Sequence, residues 1–309
     1  MKSFLLTLFL GCLAGSLSAQ TLPERYAQYG ELVVVKMDSA PFPHPDRAHG
    51  HQYQQELFTT EKNYSDNSIA IFVPKGFRPT SSVDFVVHFH GWRHHIETTL
   101  SEYQLIEQFV QSGRNAILIV PQGPHDVPDS FGGKFEDENG FQRFMNEVMG
   151  TLRARGVIQQ GTIGNIILSG HSGGYQVISS IVARGGLSAN VKEVWLFDAL
   201  YARTDKFMDW FKQYPQRRWI DIYTLHGGTK GETEKLIASV KTPGQTIPLL
   251  IKNEADVTPE DLRKNRLIFI YSDLPHDQVV FKHQQFCEYL KTSVLTPLKV
   301  YASPKAAGQ

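Results

Sequence analysis

Ser172 stands in Gly170-His171-Ser172-Gly173-Gly174, one residue after the apolar run Ile166-Ile167-Leu168. A strand that ends in Gly-x-Ser-x-Gly and runs on into a helix must turn sharply at the serine, which lifts the hydroxyl above the sheet. Side chains two residues before and two after would collide with the neighbouring strand and helix, so glycine suits those places. A serine so presented can attack an acyl carbon, provided an adjacent base takes its proton. The same chemistry needs a carboxylate to orient the base and donors for the developing oxyanion.

His276, in Ser272-Asp273-Leu274-Pro275-His276-Asp277, is the candidate base, because an imidazole accepts and returns a proton near neutral pH. His226 also follows an apolar run and competes for the role, whereas His171 adjoins the nucleophile without the right reach. Asp198 is the candidate acid, the first polar group after Trp195-Leu196-Phe197. Glu232 is the alternative acid, the sole carboxylate in His226–Glu232, and Asp273 and Asp277 stay open. The backbone N–H groups of Trp92, in His88-Phe89-His90-Gly91-Trp92, and of Gly173 are the candidate oxyanion donors. His90, Tyr201 and Asp129 are candidate substrate contacts. Trp92 and Tyr201 could stack on a sugar or aromatic ring, or simply pack in the core.

Ser172, His276, Asp198 and the His90-Gly91-Trp92 stretch each sit at the carboxyl end of a predicted strand. Strands are expected at 31–37, 68–74, 83–90, 115–120, 163–169, 192–197, 219–225 and 266–271. Helical spacing recurs at 96–113, 141–155, 175–183, 204–214, 231–240 and 279–294. From residue 83 onward strand and helix alternate, which implies a parallel sheet with right-handed crossovers and helices on both faces. Sites in such sheets lie at the carboxyl ends of the strands. The longest irregular stretch, 122–140, carries prolines, glycines and acids and reads as a lid or substrate loop.

The 309 residues balance 31 basic against 31 acidic groups, so no charge excess points to nucleic acid or an anionic membrane. Residues 1–19 read as a secretory signal peptide: Lys2, the apolar run Phe4 to Leu10, then small residues up to Ala19. The product is then secreted or periplasmic, with residues 20–309 forming one domain. Lipoprotein anchoring at Cys12 is the less favoured reading. Removal of the leader leaves only Cys287, which suits a core position and allows no internal disulfide. His88 and His90, with His94 and His95 nearby, resemble a histidine-rich metal box. The acid that accompanies such boxes is missing at Trp92 and Arg93, so neither metal nor cofactor is expected.

The order His90-Gly91, then Gly170-x-Ser172-x-Gly174, then acid, then His276 resembles the α/β-hydrolase superfamily over roughly residues 66 to 294. The resemblance implies a twisted, mostly parallel sheet of about eight strands and hydrolysis of esters without a cofactor. An acid after the strand ending at Phe197, rather than after the next strand, is similar to a subset of lipases within that superfamily. The expected activity is a serine esterase with a Ser172-His276-Asp198 triad, acting on a small-molecule or polymer-linked ester. The rival reading is a non-catalytic binding protein on the same fold.

Overall fold

The computed structural model describes residues 20–241 and 247–298. The expected leader and Cys12 lie outside the described residues. Eleven strands occur in chain order among these residues. They are β1 (Gly30–Lys36), β2 (His51–Tyr53), β3 (Glu56–Phe58), β4 (Ser68–Pro74), β5 (Ser82–Phe89), β6 (Ile117–Pro121), β7 (Thr162–His171), β8 (Val191–Phe197), β9 (Arg218–Thr224), β10 (Leu249–Asn253) and β11 (Leu267–Ser272). Nine of them make one sheet in the order β1-β4-β6-β5-β7-β8-β9-β11-β10, with β2 and β3 forming a separate hairpin. β4 runs antiparallel to both β1 and β6, and every pair from β6 to β10 is parallel.

The sheet has nine strands, in keeping with the expected about eight. The additional one, β10, is a five-residue edge strand paired only with β11. Its Leu-Leu-Ile-Lys-Asn is too short and too one-sided to announce itself in sequence.

Side-chain alternation explains why the central strands are apolar throughout. On β7, Ile166 and Leu168 face one core with Phe141, Phe144, Met145 and Ile178 from the helices Gly140–Ala154 and Tyr175–Arg184. Ile167 faces the opposite core with Leu100, Phe109, Phe286 and Leu290. Those side chains come from the helices Ile96–Glu102, Leu105–Ser112 and Gln285–Lys291. Ile167 and Leu168 are fully buried, and each such side chain contributes about 1.5–3 kcal/mol.

Two expected helices are interrupted. The span 96–113 breaks at Gln104, whose φ is +49°, and the Gln108 amide donates to the freed Tyr103 carbonyl at 2.7 Å. The span 279–294 shortens to Gln285–Lys291 after Gln284, at φ +59°. Cys287 is a free thiol, fully buried, with burial pushing its pKa up. Among the described residues no helix is long and apolar enough to cross a membrane.

Candidate active site

The carboxyl ends of β5, β7, β8, β9 and β11 converge on Ser172. Ser172 follows β7 directly and has φ +51°, a left-handed conformation costly for a side chain with a Cβ. Its glycine neighbours permit the turn. A Cβ at Gly174 would lie 2.7 Å from the Phe89 carbonyl oxygen, and one at Gly170 would lie 2.7 Å from Ile178 Cδ1. The His90-Gly91-Trp92 loop presses against the same point, since a Cβ at Gly91 would meet Ser172 Cβ at 2.7 Å.

Asp198 follows β8 and also has a positive φ, +46°. Its side chain is fully buried and saturated by donors. Oδ2 accepts from His276 Nδ1 at 2.7 Å and from the Thr224 hydroxyl at 2.6 Å. Oδ1 accepts from the Thr224 backbone N–H at 3.2 Å and from the Thr229 hydroxyl. Burial pushes the carboxyl pKa up, but the bonds from His276, Thr224 and Thr229 outweigh it and hold it below the usual value. Because the carboxylate can only accept, His276 carries its proton on Nδ1 and leaves the Nε2 lone pair free.

His171 is engaged with both sides of this arrangement. Its Nε2 donates to the His276 carbonyl at 3.0 Å, and because a carbonyl only accepts, Nδ1 must take the Tyr103 hydroxyl proton at 2.8 Å. Burial and the neighbouring His276 depress its pKa to about 3, so the ring is neutral.

The remaining expected residues divide. Trp92 is half-exposed and adjoins Gly173, whose Cβ would lie 2.8 Å from Trp92 Cδ1. The Trp92 indole N–H donates to Ser130 Oγ at 2.7 Å. With Tyr175 and Tyr201, these residues line a cleft of about 200 Å³ over Ser172 and Gly173. The Tyr201 hydroxyl donates to the Gly227 carbonyl at 2.6 Å. A larger cavity of about 410 Å³ lies beyond β11, around Asn253, Tyr271 and Tyr289, and does not include Ser172.

His90, Asp129 and Glu232 are otherwise occupied. His90 is buried, its Nε2 accepting from the Gly123 N–H at 3.0 Å and its Nδ1 meeting the Gly91 carbonyl at 2.8 Å. It holds the loop after β5 rather than facing the cleft. Asp129 accepts from Arg47 at 2.8 and 3.2 Å, from the Tyr64 hydroxyl at 3.0 Å and from the Phe131 N–H at 3.0 Å. Those four donors fill its lone pairs, so it fastens the 122–140 segment instead of offering a free carboxylate. Glu232 lies on the helix Lys230–Val240 and pairs with Lys235 at 2.6 Å, away from His276. His226 is exposed. His88 is buried against Ser169 Oγ at 2.9 Å and the rings of Tyr103 and Phe286.

Thr224, Thr229, Gly227 and His171 were not foreseen in supporting positions. Gly227 alone carried a signal, in His226-Gly227-Gly228 after a strand. A Cβ there would lie 1.6 Å from Asp198 Oδ2, so only glycine leaves room for the carboxylate.

No protein-family model matches the sequence, and no curated protein matches it. Solved structures match in shape. The feruloyl esterase module from Clostridium thermocellum, complexed with sinapinate, aligns with a TM-score of 0.53 and 11% identity over 86% of this chain and 88% of its own. Acetyl xylan esterase from Aspergillus awamori aligns with a TM-score of 0.51 and 14% identity over 85% of this chain and 100% of its own. This chain has the α/β-hydrolase fold shared by those esterases.

Proposed function

We propose that the protein is a serine hydrolase that cleaves carboxylic esters through an acyl-enzyme on Ser172. The observation that carries this reading is the 2.7 Å bond from His276 Nδ1 to the fully buried Asp198, on the same sheet edge as the left-handed Ser172. His276 Nε2 takes the Ser172 proton as Oγ attacks the ester carbonyl, then returns it to the departing alcohol. Water, deprotonated by the same nitrogen, releases the acid and restores Ser172. The N–H groups of Trp92 and Gly173 stabilise the oxyanion, each by about 3 kcal/mol. Asp198 keeps the tautomer and stabilises the imidazolium.

A cleft of about 200 Å³ walled by Trp92, Tyr175 and Tyr201 suits a short or aromatic acyl group better than a long chain. Feruloyl and acetyl xylan esterases are among the proteins of like fold, and a polar, sugar-linked ester is the substrate class we favour. With residues 1–19 as a leader, the enzyme acts outside the cytoplasm; the amino terminus of the exported protein, read by sequencing, tests that. A fluorophosphonate probe tests the chemistry: failure to label Ser172 in the folded protein would sink the esterase reading and leave a binding protein. A panel of acetyl, feruloyl and palmitoyl esters tests the substrate class, and preference for the palmitoyl ester would overturn it.

A further inference from the structure

Outside this site, the fold gathers three metal-ligating side chains that lie apart in sequence. His95 follows the His90-Gly91-Trp92 loop, and His125 and Asp126 follow β6; His95 and Asp126 are 31 residues apart. His95 Nδ1 lies 2.8 Å from Asp126 Oδ1, and His125 Nδ1 lies 3.3 Å from Asp126 Oδ2. The two imidazoles are stacked, centroids 4.9 Å apart and planes 12° from parallel, so both point the same nitrogen at one carboxylate. All three ligand atoms lie within 4.8 Å of one another, and among the described residues no other set of three converges in this way.

We propose that His95, His125 and Asp126 bind one first-row divalent cation of the zinc class. Ligand atoms about 2.0–2.1 Å from a tetrahedral zinc ion lie about 3.4 Å apart, inside the 4.8 Å within which the three ligand atoms already sit. Two imidazoles and a carboxylate are a donor set for zinc and its neighbours rather than for calcium or magnesium, and water completes the shell. Each ring changes to the Nε2–H tautomer, so the Nδ1 lone pair faces the ion.

The backbone under each ligand is already fixed. The Asp126 N–H donates to the His94 carbonyl at 3.2 Å, and the Arg93 N–H donates to the Val127 carbonyl at 2.9 Å. His125 is held by Asn63 at both its N–H and its carbonyl, each at 2.9 Å. The His95 N–H donates to Thr98 Oγ1 at 3.0 Å at the start of the helix Ile96–Glu102. His94 faces elsewhere, towards Glu102 at 3.1 Å. The ion therefore clips the segment bearing Trp92 to the segment after β6 without requiring either backbone to move.

Zinc titration calorimetry on the tag-free chain, with metal content measured after dialysis, tests the site. One equivalent should bind at micromolar concentration or tighter, and His125→Ala should weaken it at least 100-fold. His125→Ala leaves both Asn63 bonds in place, because they run through the backbone. Asp126→Asn, which tolerates the left-handed φ of +54° at this position, should weaken binding likewise. His49→Ala, exposed and outside the cluster, should not. Cobalt in place of zinc should show a tetrahedral absorption band that both cluster variants lose. Equal zinc affinity in wild type and His125→Ala, or no binding below about 1 mM, overturns the proposal.

Discussion

The substitution Gly227→Ala adds one methyl group at a place that touches no substrate, yet it should disable the enzyme. The new Cβ would lie 1.6 Å from Asp198 Oδ2, 2.4 Å from Cγ and 2.7 Å from Oδ1, where real contacts stay beyond 3.0 Å. Something must move by about 1.4 Å, the difference between 3.0 and 1.6. Gly227 is held on both sides, its N–H by Thr224 Oγ1 at 2.9 Å and its carbonyl by the Tyr201 hydroxyl at 2.6 Å. The carboxylate is therefore the part that yields, and a shift of that size breaks its 2.7 Å bond to His276. Loss of the orienting acid in a serine triad lowers turnover by about 10⁴-fold, or about 5 kcal/mol of transition-state stabilisation. Overpacking itself costs about 1–3 kcal/mol of stability, so melting curves accompany the kinetics. The assay is kcat/KM for p-nitrophenyl acetate in wild type, Gly227→Ala, Asp198→Ala and the double variant. With Asp198 truncated the clash disappears, so Gly227→Ala should add little to Asp198→Ala. Turnover within threefold of wild type in folded Gly227→Ala, or effects that multiply in the double variant, refutes the reasoning.

Three further outcomes are expected. Ser172→Gly should abolish turnover without lowering the melting temperature, because the left-handed φ of +51° costs serine about 1–2 kcal/mol that glycine avoids; a fall of several degrees counts against backbone strain at the elbow. Asp129→Asn should lower the melting temperature by several degrees, since it leaves Arg47 without its buried partner at a cost of about 3 kcal/mol. Its KM should stay within twofold of wild type, and a large rise in KM at unchanged stability would restore Asp129 as a substrate contact. Asp221, fully buried on β9, has its pKa raised by burial to about 7 against an opposing hydrogen bond from Thr233. Unfolded, it titrates near about 3.9, so between those values the folded chain holds a proton that the unfolded chain releases. Its contribution is complete below about pH 4 and is lost as pH rises through about 7. Melting temperatures at pH 5 and pH 8 should therefore differ more in wild type than in Asp221→Asn, and identical differences would show that Asp221 does not titrate there.

The central strands were legible because both faces are buried, so β5, β7 and β8 each carry an apolar run, Phe85-Val86-Val87, Ile166-Ile167-Leu168 and Val194-Trp195-Leu196-Phe197. The placing of Ser172 after β7 and of Asp198 after β8 followed from those runs. What escaped the sequence depends on side chains that meet across it. Asp129 sits among acids in an irregular segment, and only folding reveals Arg47, Tyr64 and the Phe131 amide around it. Gln104 breaks a well-patterned helix because tertiary contacts of Tyr103 with His171 and of Gln108 with the Tyr103 carbonyl stabilise the break. The donors that hold the Asp198 carboxylate could not be read from its local segment. Thr224 and Thr229 arrive from the strand and loop next door.

The bond from His171 to the His276 carbonyl bears on how the site responds to deformation of the sheet. β7 and β11 are separated by β8 and β9, three strand spacings or about 14 Å. Were the nucleophile and the base placed only by their own strands, any change in twist between those strands would accumulate across all three spacings. The His171 ring short-circuits that path, joining the residue before Ser172 directly to the backbone of His276. Ser172 and His276 are thus members of a closed mechanical loop rather than the two ends of an open one. A change of twist between β7 and β11 is therefore opposed at the site itself by the 3.0 Å bond from His171 to the His276 carbonyl.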